Sequence, residues 1–131
     1  MNDAYGHLAG DEMLVRTAAA LARHVRAGDV SGRFGGEEFV VLLPGADERE
    51  ACSVAERLRE RVSAITLPAA GAQVTVTVSI GVAALGTHGN ELFELLAGAD
   101  AAVYRAKESG RDQVCLLPPG VQPSDAQPQW P

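Results

Sequence analysis

The chain has 131 residues, of which 47% are hydrophobic but only 5% aromatic, so the composition predicts one domain with an aliphatic core. Its net charge is −6, from 17 acidic against 11 basic residues. This balance argues against nonspecific binding to nucleic acid or to a membrane surface, because both need a basic face. No apolar run is long enough for a membrane span or a secretion signal, and Cys52 and Cys115 have neither disulfide nor metal-ligand spacing. We therefore expect a cytoplasmic protein.

The first elements predicted along the chain are a loop and a helix. Residues 1–10 are polar and glycine-rich, which is typical of a loop. From Asp11 onward the apolar residues recur at helical spacing, and Gly28 is a natural stop after Arg26. Asp11 would then lie near the positive end of the helix, where an acidic side chain is favoured.

A tight hairpin is predicted next. Two β-prone runs, 30–34 and 39–43, are separated by two glycines and two glutamates. Consecutive glycines suit a hairpin turn, since both central positions can take positive φ without a Cβ penalty. Glu37 and Glu38 should point to opposite faces because successive strand side chains alternate. The spacing alone leaves two interpretations open: a solvated surface turn, or a turn that approaches a metal-bound phosphate.

The rest of the chain alternates helices and strands. The predicted elements are a helix over 47–65 with a capping box of Asp47 and Glu50, a loop over 67–73, a strand over 74–80, a helix from Asn90 to Gly110 with Leu92, Leu95 and Leu96 facing inward, and a strand over 113–117. Residues 118–131 hold five of the seven prolines and should form a disordered tail. This order predicts an α+β sandwich in which helices flank a mainly antiparallel central sheet.

Five segments in register resemble the GGDEF domain of the diguanylate cyclase family, in its Gly-Gly-Glu-Glu-Phe form. They are residues 2–11 (Asn-Asp-Ala-Tyr-Gly-His-Leu-Ala-Gly-Asp), 26–29 (Arg-Ala-Gly-Asp), 33–39 (Arg-Phe-Gly-Gly-Glu-Glu-Phe), 78–83 (Val-Ser-Ile-Gly-Val-Ala) and 100–111, which contains Ala-Lys-Glu-Ser-Gly-Arg. The resemblance covers residues 2 to about 117 and implies a nucleotide-cyclase-like domain over 1–117.

The resemblance implies that two GTP molecules, held on two domains of a homodimer, are joined into cyclic di-GMP with release of pyrophosphate. Each 3′-hydroxyl would attack the α-phosphate of the other nucleotide. Mg²⁺ or Mn²⁺ would neutralise phosphate charge and activate the hydroxyl. A sensory or receiver domain would precede the domain in the parent protein.

Several site residues carry over from the family. Glu37 matches the carboxylate that binds the metals and assists deprotonation, and Glu38 is a second candidate metal ligand. Gly35 and Gly36 would let the turn lie against the phosphates. Asn2 matches a guanine reader.

Asp11 matches the second guanine reader, and an ionised carboxylate can accept both donors of that base. Lys107 and Arg111 match the pair that holds the β- and γ-phosphates, and Lys107 is the only lysine of the chain. Without the resemblance, Asp11 is an acid at a helix start and Lys107 a cation that offsets a helix dipole.

A second site is implied by the Arg-x-x-Asp of Arg26 and Asp29, which matches the inhibitory product site of the family. Arg57 matches a secondary contact to the same cyclic di-GMP, although a solvated arginine is an equally good interpretation. An arginine can donate to the O6/N7 edge of guanine and an aspartate can accept from its donors.

One family feature is missing. A strand ending in Asp-x-Asp-x-Phe-Lys normally precedes the Asn-Asp pair and supplies a metal aspartate, but here Met1 stands at that point. Three explanations stay open: the chain is truncated, its start is misassigned, or the residues before it lie outside this sequence. If the strand is absent, we expect a metal ligand to be missing, a gap in the sheet, and self-association or strand exchange between copies. Two functions stay open: a diguanylate cyclase or, especially for this chain without the strand, an inactive module that binds cyclic di-GMP through Arg26, Asp29 and Arg57.

Overall fold

The computed structural model describes residues 2–69, 71–118 and 121–123, with residues 2–7 and 69 as backbone only. Most of the predicted proline-rich tail lies outside the described residues. The elements are α1 (Asn2–Arg23), β1 (Val30–Gly35), β2 (Glu38–Leu42), α2 (Glu48–Ser63), β3 (Leu67–Ala69), β4 (Ala72–Val74), β5 (Ile80–Val82), α3 (Leu92–Glu108) and β6 (Val114–Leu116). No helix in these ranges combines the length and the apolar character that crossing a membrane requires.

Helix α1 begins much earlier than predicted. Residues 2–10 are helical rather than a loop, so Asp11 lies inside the helix and not at its positive end. Glycine lowers helix propensity by only about 1 kcal/mol, and Ala9 within this stretch packs against the core of Met13, Leu67 and Val74. Of the apolar positions predicted to share one face of this helix (Leu14, Ala18, Leu21, Ala22 and Val25), Leu21 is buried and Ala18 and Ala22 are exposed, while Met13, Thr17 and Ala20 are buried in addition.

Helix α2 forms as the sequence predicts. Asp47 accepts a hydrogen bond from the Glu50 N–H at 2.8 Å, and the Glu50 carboxylate accepts one from the Asp47 N–H at 3.4 Å. Leu58 and Val62 are buried in a core with Leu21 of α1. Partly buried side chains of β2, β5 and the segment before β5 pack against this core, namely Phe39, Val41, Val76, Val78 and Ile80.

The predicted strand over 74–80 is the main departure. Strands β3 and β4, residues 67–69 and 72–74, pair antiparallel within the stretch predicted as a loop, and residues 75–79 have no strand partner among the described residues. Their alternation still holds, since Thr75 and Thr77 are exposed while Val76 and Val78 pack on the core. Alternation predicts which side chains face inward, but a strand also needs a hydrogen-bonded neighbour.

Helix α3 covers the third strand pair. β5 and β6 are parallel, with Gly81 opposite Cys115. Helix α3 packs on both strands and buries Ala101, Ala102 and Ala106. The predicted cap Asn90 is not the N-cap: Glu91 takes that position, and the Glu94 carboxylate accepts a hydrogen bond from the Asn90 N–H at 2.9 Å. Leu92, predicted to face inward, is 51% exposed because it lies in the first turn, beyond the covered face.

The described strands form three pairs, β1–β2 and β3–β4 antiparallel and β5–β6 parallel. Helices α1 and α2 pack on one another and α3 packs on β5 and β6. The α+β prediction is confirmed. The single central sheet that was expected is present in the described residues as three separate strand pairs.

Candidate functional site

The tip of the β1–β2 hairpin presents a carboxylate to solvent. The turn residues are Gly36 and Glu37, with Gly35 paired opposite Glu38. The predicted turn at Gly35–Gly36 is therefore wrong by one residue. A bulge between Arg33 and Gly35 shifts the register, so that Gly35 ends β1.

The geometry of this tip is fixed locally. Gly36 has φ +40°, a conformation that favours glycine, and a Cβ placed there would meet no atom within 4 Å. The Arg33 Nε donates to the Gly36 carbonyl at 2.7 Å across the turn. Glu37 is exposed and Glu38 half-buried. The backbone therefore holds the Glu37 carboxylate outward on an uncrowded glycine turn.

A divalent cation would find few ligands here. In the part of the chain that the structure describes, no three carboxylate, histidine or cysteine side chains lie close enough to hold a metal ion. Mg²⁺, however, often uses only one or two carboxylates together with substrate phosphates and water. The donor chemistry of Glu37, and of Glu38 beside it, fits that mode and does not fit a cage made of protein alone.

A second candidate site lies at the α1–β1 connection. The Asp29 Oδ2 accepts from the Arg26 backbone N–H at 2.9 Å and lies 3.6 Å from the Arg26 Nε, while the Asp29 N–H donates to the Arg26 carbonyl at 3.0 Å. The Asp29 side chain is only 4% exposed and that of Arg26 56%. Asp29 thus locks the turn, and Arg26 is the group presented to solvent.

This turn forms one wall of a cavity of about 380 Å³. The opposite wall is the β2–α2 connection at Pro44 and Gly45, a segment that is distant in sequence. Arg57 of α2 reaches the α1–β1 connection, since its Nη2 donates to the His24 carbonyl at 3.0 Å. The structure therefore places Arg26, Asp29 and the Arg57 guanidinium at the α1–β1 connection, with Arg57 outside the cavity lining, and their joint role in binding stays a prediction.

The pKa of His24, just after α1, is perturbed by burial and by nearby arginines. The pKa of His24 is lowered from 6.5, first by burial and then by Arg61, Arg23 and Arg57. The lowered pKa means that His24 is protonated less readily than a free histidine, because burial and the neighbouring arginines both disfavour the imidazolium.

A family model described as "Diguanylate cyclase, GGDEF domain" matches residues 1–113. The chain belongs to the GGDEF family. It is 45% identical over 116 residues to the response regulator PleD of Caulobacter vibrioides, a match that covers 87% of this chain and 26% of PleD. The chain thus spans about a quarter of the length of that relative.

Solved structures agree with this assignment. The diguanylate cyclase SiaD of Pseudomonas aeruginosa, crystallised with its activator SiaC, has a TM-score of 0.80 at 38% identity, covering 88% of this chain and 44% of that one. The coiled coil and GGDEF domain of DgcB from Caulobacter crescentus, in complex with c-di-GMP, has a TM-score of 0.79 at 28% identity, covering 88% of this chain and 62% of that one.

The predicted guanine readers of this GGDEF domain both lie on α1. Asp11 is exposed, whereas the side chain of Asn2 is outside the described atoms. Their Cα atoms are about 13 Å apart along the helix axis, from nine residues at 1.5 Å each. The backbone does not gather them into a compact pair, and their joint role stays a prediction.

The predicted phosphate-binding residues lie at and after the end of α3. Lys107 is half-buried in the last helical turn. Gly110 ends the helix as predicted, with φ +115°, and the Arg111 N–H donates to the Ala106 carbonyl at 2.8 Å, the longer bond of a Schellman motif. Arg111 is exposed and has φ +65°.

Sequence reasoning missed the group that fastens this loop to α2. The Arg59 Nη1 donates to the Asp112 Oδ1 at 2.8 Å, and its Nε donates to the Glu56 Oε1 at 2.9 Å. These hydrogen bonds, first that of Glu56 and then that of Asp112, raise the pKa of Arg59, and Arg59 lowers the pKa of Glu56. The spacing of Glu56 and Arg59 on one helix face could have suggested the local pair, but no sequence signal points to Asp112.

Proposed function

We propose that this GGDEF domain is the catalytic part of a diguanylate cyclase, which condenses two GTP into cyclic di-GMP and two pyrophosphates. The observation that carries the proposal is the outward-facing Glu37 on a glycine turn tied by Arg33, in a chain that belongs to this family.

In each half-reaction a 3′-hydroxyl oxygen forms a bond to the α-phosphorus of the other GTP, and the bond from that phosphorus to the pyrophosphate oxygen breaks. Glu37 accepts the hydroxyl proton. The uncrowded turn at Gly36 lets the phosphates approach the backbone. Two copies of the domain must face each other, because each holds one nucleotide.

The remaining groups bind GTP. Arg111, together with Lys107, contacts the β- and γ-phosphates, and Asn2 and Asp11 read guanine. A divalent cation, Mg²⁺ or Mn²⁺, would be held by Glu37 and Glu38 with the phosphates and would supply charge neutralisation at the transferred phosphoryl group.

The experiment is incubation of the chain with GTP and Mg²⁺, with cyclic di-GMP and pyrophosphate quantified by chromatography. Glu37→Gln should abolish product formation, since the amide neither accepts the proton nor binds the cation. Glu50→Gln, an exposed change of the same kind in the α2 cap, is the matched control and should retain activity. Absence of product from the wild-type chain, or full activity of Glu37→Gln, would refute the catalytic role.

A second candidate function is product binding at the α1–β1 connection, with or without catalysis. The preformed Arg26–Asp29 turn, the facing wall at Pro44 and Gly45, and the cavity of about 380 Å³ favour it. The low exposure of Asp29 indicates that Arg26 makes the contact while Asp29 orients it. The DgcB structure in complex with c-di-GMP supports this choice of ligand.

Calorimetry with cyclic di-GMP tests this site. Arg26→Ala should weaken binding by about tenfold or more, since a charge-assisted hydrogen bond contributes about 1.5–3 kcal/mol. Arg49→Ala removes an exposed arginine of α2 outside the cavity lining and serves as the control. Binding without turnover would identify the chain as the inactive binding module; equal affinity of wild type and Arg26→Ala would reject the site.

A further inference from the structure

The loop after α3 holds two consecutive residues in a rarely populated conformation. Arg111 has φ +65° and Asp112 φ +48°, and in the described part of the chain no other non-glycine residue has positive φ. Residues with a Cβ adopt this region seldom, so the surrounding structure must hold them there. Such conformations concentrate at binding sites, and here one of the two residues is the arginine assigned to the phosphates.

Contacts within the loop and contacts to neighbouring elements hold it in place. The Arg111 N–H donates to the Ala106 carbonyl, and the Gln113 side-chain amide donates to the Ser109 and Arg111 carbonyls at 3.1 Å each. The Gln113 carbonyl accepts from the Ile80 N–H of β5 at 2.9 Å, and the Asp112 carboxylate accepts from Arg59 of α2 at 2.8 Å. The Asp112 bond is the one of these that connects the loop to α2 through a side chain next to Arg111.

Arg59 is itself well fixed. Its side chain is only 20% exposed, and Glu56 accepts from both its Nε and its Nη2. Its remaining terminal nitrogen, Nη1, donates to the Asp112 carboxylate. A guanidinium held along one edge presents the other edge in a set direction, which a flexible lysine would not do.

The Arg111 guanidinium, in contrast, makes no hydrogen bond or ion pair to the described residues, and the residue is exposed. The backbone conformation at Arg111, which Asp112 ties to α2, therefore fixes the point and the Cα–Cβ direction from which this side chain leaves the loop. A backbone that is already held in this conformation does not have to be ordered when the ligand binds.

We propose that Asp112, held by Arg59, is a positioning residue that directs Arg111 toward the β- and γ-phosphates of GTP. This rests on the proposed function, in which Arg111 contacts those phosphates. The other interpretation of the Arg59–Asp112 pair is a surface ion pair with no functional effect. The two differ in what they predict for ligands of different phosphate length.

The test measures dissociation constants of GTP and GMP by calorimetry, in Mg²⁺ at one salt concentration, for the full 131-residue chain. GMP lacks the β- and γ-phosphates, so its affinity reports the base and α-phosphate contacts alone. The variants are Arg111→Ala, Asp112→Ala, Arg59→Ala, the double change of Arg111 and Asp112 to alanine, and Arg49→Ala as a control arginine on α2.

We expect Arg111→Ala to weaken GTP binding by about tenfold or more, and Asp112→Ala and Arg59→Ala to weaken it by roughly threefold to tenfold. Affinity for GMP should be unchanged in all of them. In the Arg111→Ala background, loss of Asp112 should have no further effect on GTP, because a positioning residue acts only through the group that it orients.

The outcomes separate the two proposals. If Arg111→Ala weakens GTP binding but Asp112→Ala and Arg59→Ala do not, the positioning role is overturned and the proposed function stands. Equal losses for GTP and GMP, or losses that add in the double variant, also overturn the positioning role. A wild-type chain that does not distinguish GTP from GMP, or an Arg111→Ala variant that binds GTP normally, refutes the phosphate contact itself.

Discussion

Gly81 allows β5 to lie directly against α3, and its replacement by alanine should be one of the most damaging small changes in this domain. A Cβ at this position would lie 2.0 Å from the Ala99 carbonyl oxygen, 2.6 Å from the Val103 nitrogen and 2.8 Å from the Val103 Cγ2. Two of these three atoms belong to the backbone of a helix, so no rotamer change relieves the overlap.

The magnitude follows from the displacement that is needed. To bring the Cβ to an ordinary contact distance from the Ala99 oxygen, β5 and α3 must separate by more than about 1 Å. Such a gap removes about a quarter or more of the van der Waals attraction of each atom pair across it. Overpacking usually costs about 1–3 kcal/mol. Because backbone must move here, we expect about 3 kcal/mol, or a fall of roughly 10 °C in Tm for a domain of this size.

Urea unfolding followed by circular dichroism gives the free energy of unfolding for this comparison. Gly32→Ala is the matched control, because Gly32 lies in β1 with nothing within 4 Å of its added Cβ and without a positive φ. It should be neutral or slightly stabilising. If Gly81→Ala costs less than about 1 kcal/mol relative to Gly32→Ala, the close approach of β5 and α3 is wrong.

Three further predictions concern local features. Asp47→Ala removes the α2 cap and should cost about 1 kcal/mol in urea unfolding. His88→Ala should cost about 1–3 kcal/mol, because the ring accepts from the Ala84 N–H at 2.9 Å and its Nε2 lies 3.1 Å from the Leu117 carbonyl. The pKa of His24 in the folded chain is below 6.5, so the unfolded chain binds more protons and the wild-type free energy of unfolding falls as the pH drops below that value. In His24→Gln this fall in the free energy of unfolding at acid pH should be smaller.

Neighbouring changes control these three predictions. Ser53→Ala, exposed on α2, and Thr87→Ala, exposed beside His88, should be near neutral. For His24, unfolding is compared at about pH 7.5 and about pH 5.5, either side of the histidine range. If the free energy of unfolding changes with pH equally in the wild type and in His24→Gln, the lowered pKa of His24 is wrong. If Asp47→Ala or His88→Ala unfolds at the same urea concentration as the wild type, the hydrogen bonds assigned to those side chains are wrong.

The candidate sites divide into parts that local sequence could predict and parts that it could not. The Arg26–Asp29 turn closes over three residues, and the same short spacing is visible in the sequence. The facing wall at Pro44 and Gly45 and the reach of Arg57 to His24, 33 residues away, depend on how α2 packs. The hydrogen bond between Arg59 and Asp112 joins residues 53 positions apart, and no local sequence pattern predicts it.

By itself the sequence determined the family, the capping box of α2, the apolar face of that helix, the glycine stop after α3 and the inward and outward alternation before β5. These are properties of side-chain order and of backbone preference over a few residues, and they survive whatever packs nearby. Only the tertiary structure decided that residues 2–10 are helical, that residues 75–79 have no strand partner among the described residues, and that Gly81 touches a helix. Helix extension, strand pairing and close packing each depend on a second segment, and the free energy that a second segment contributes is not encoded in local order.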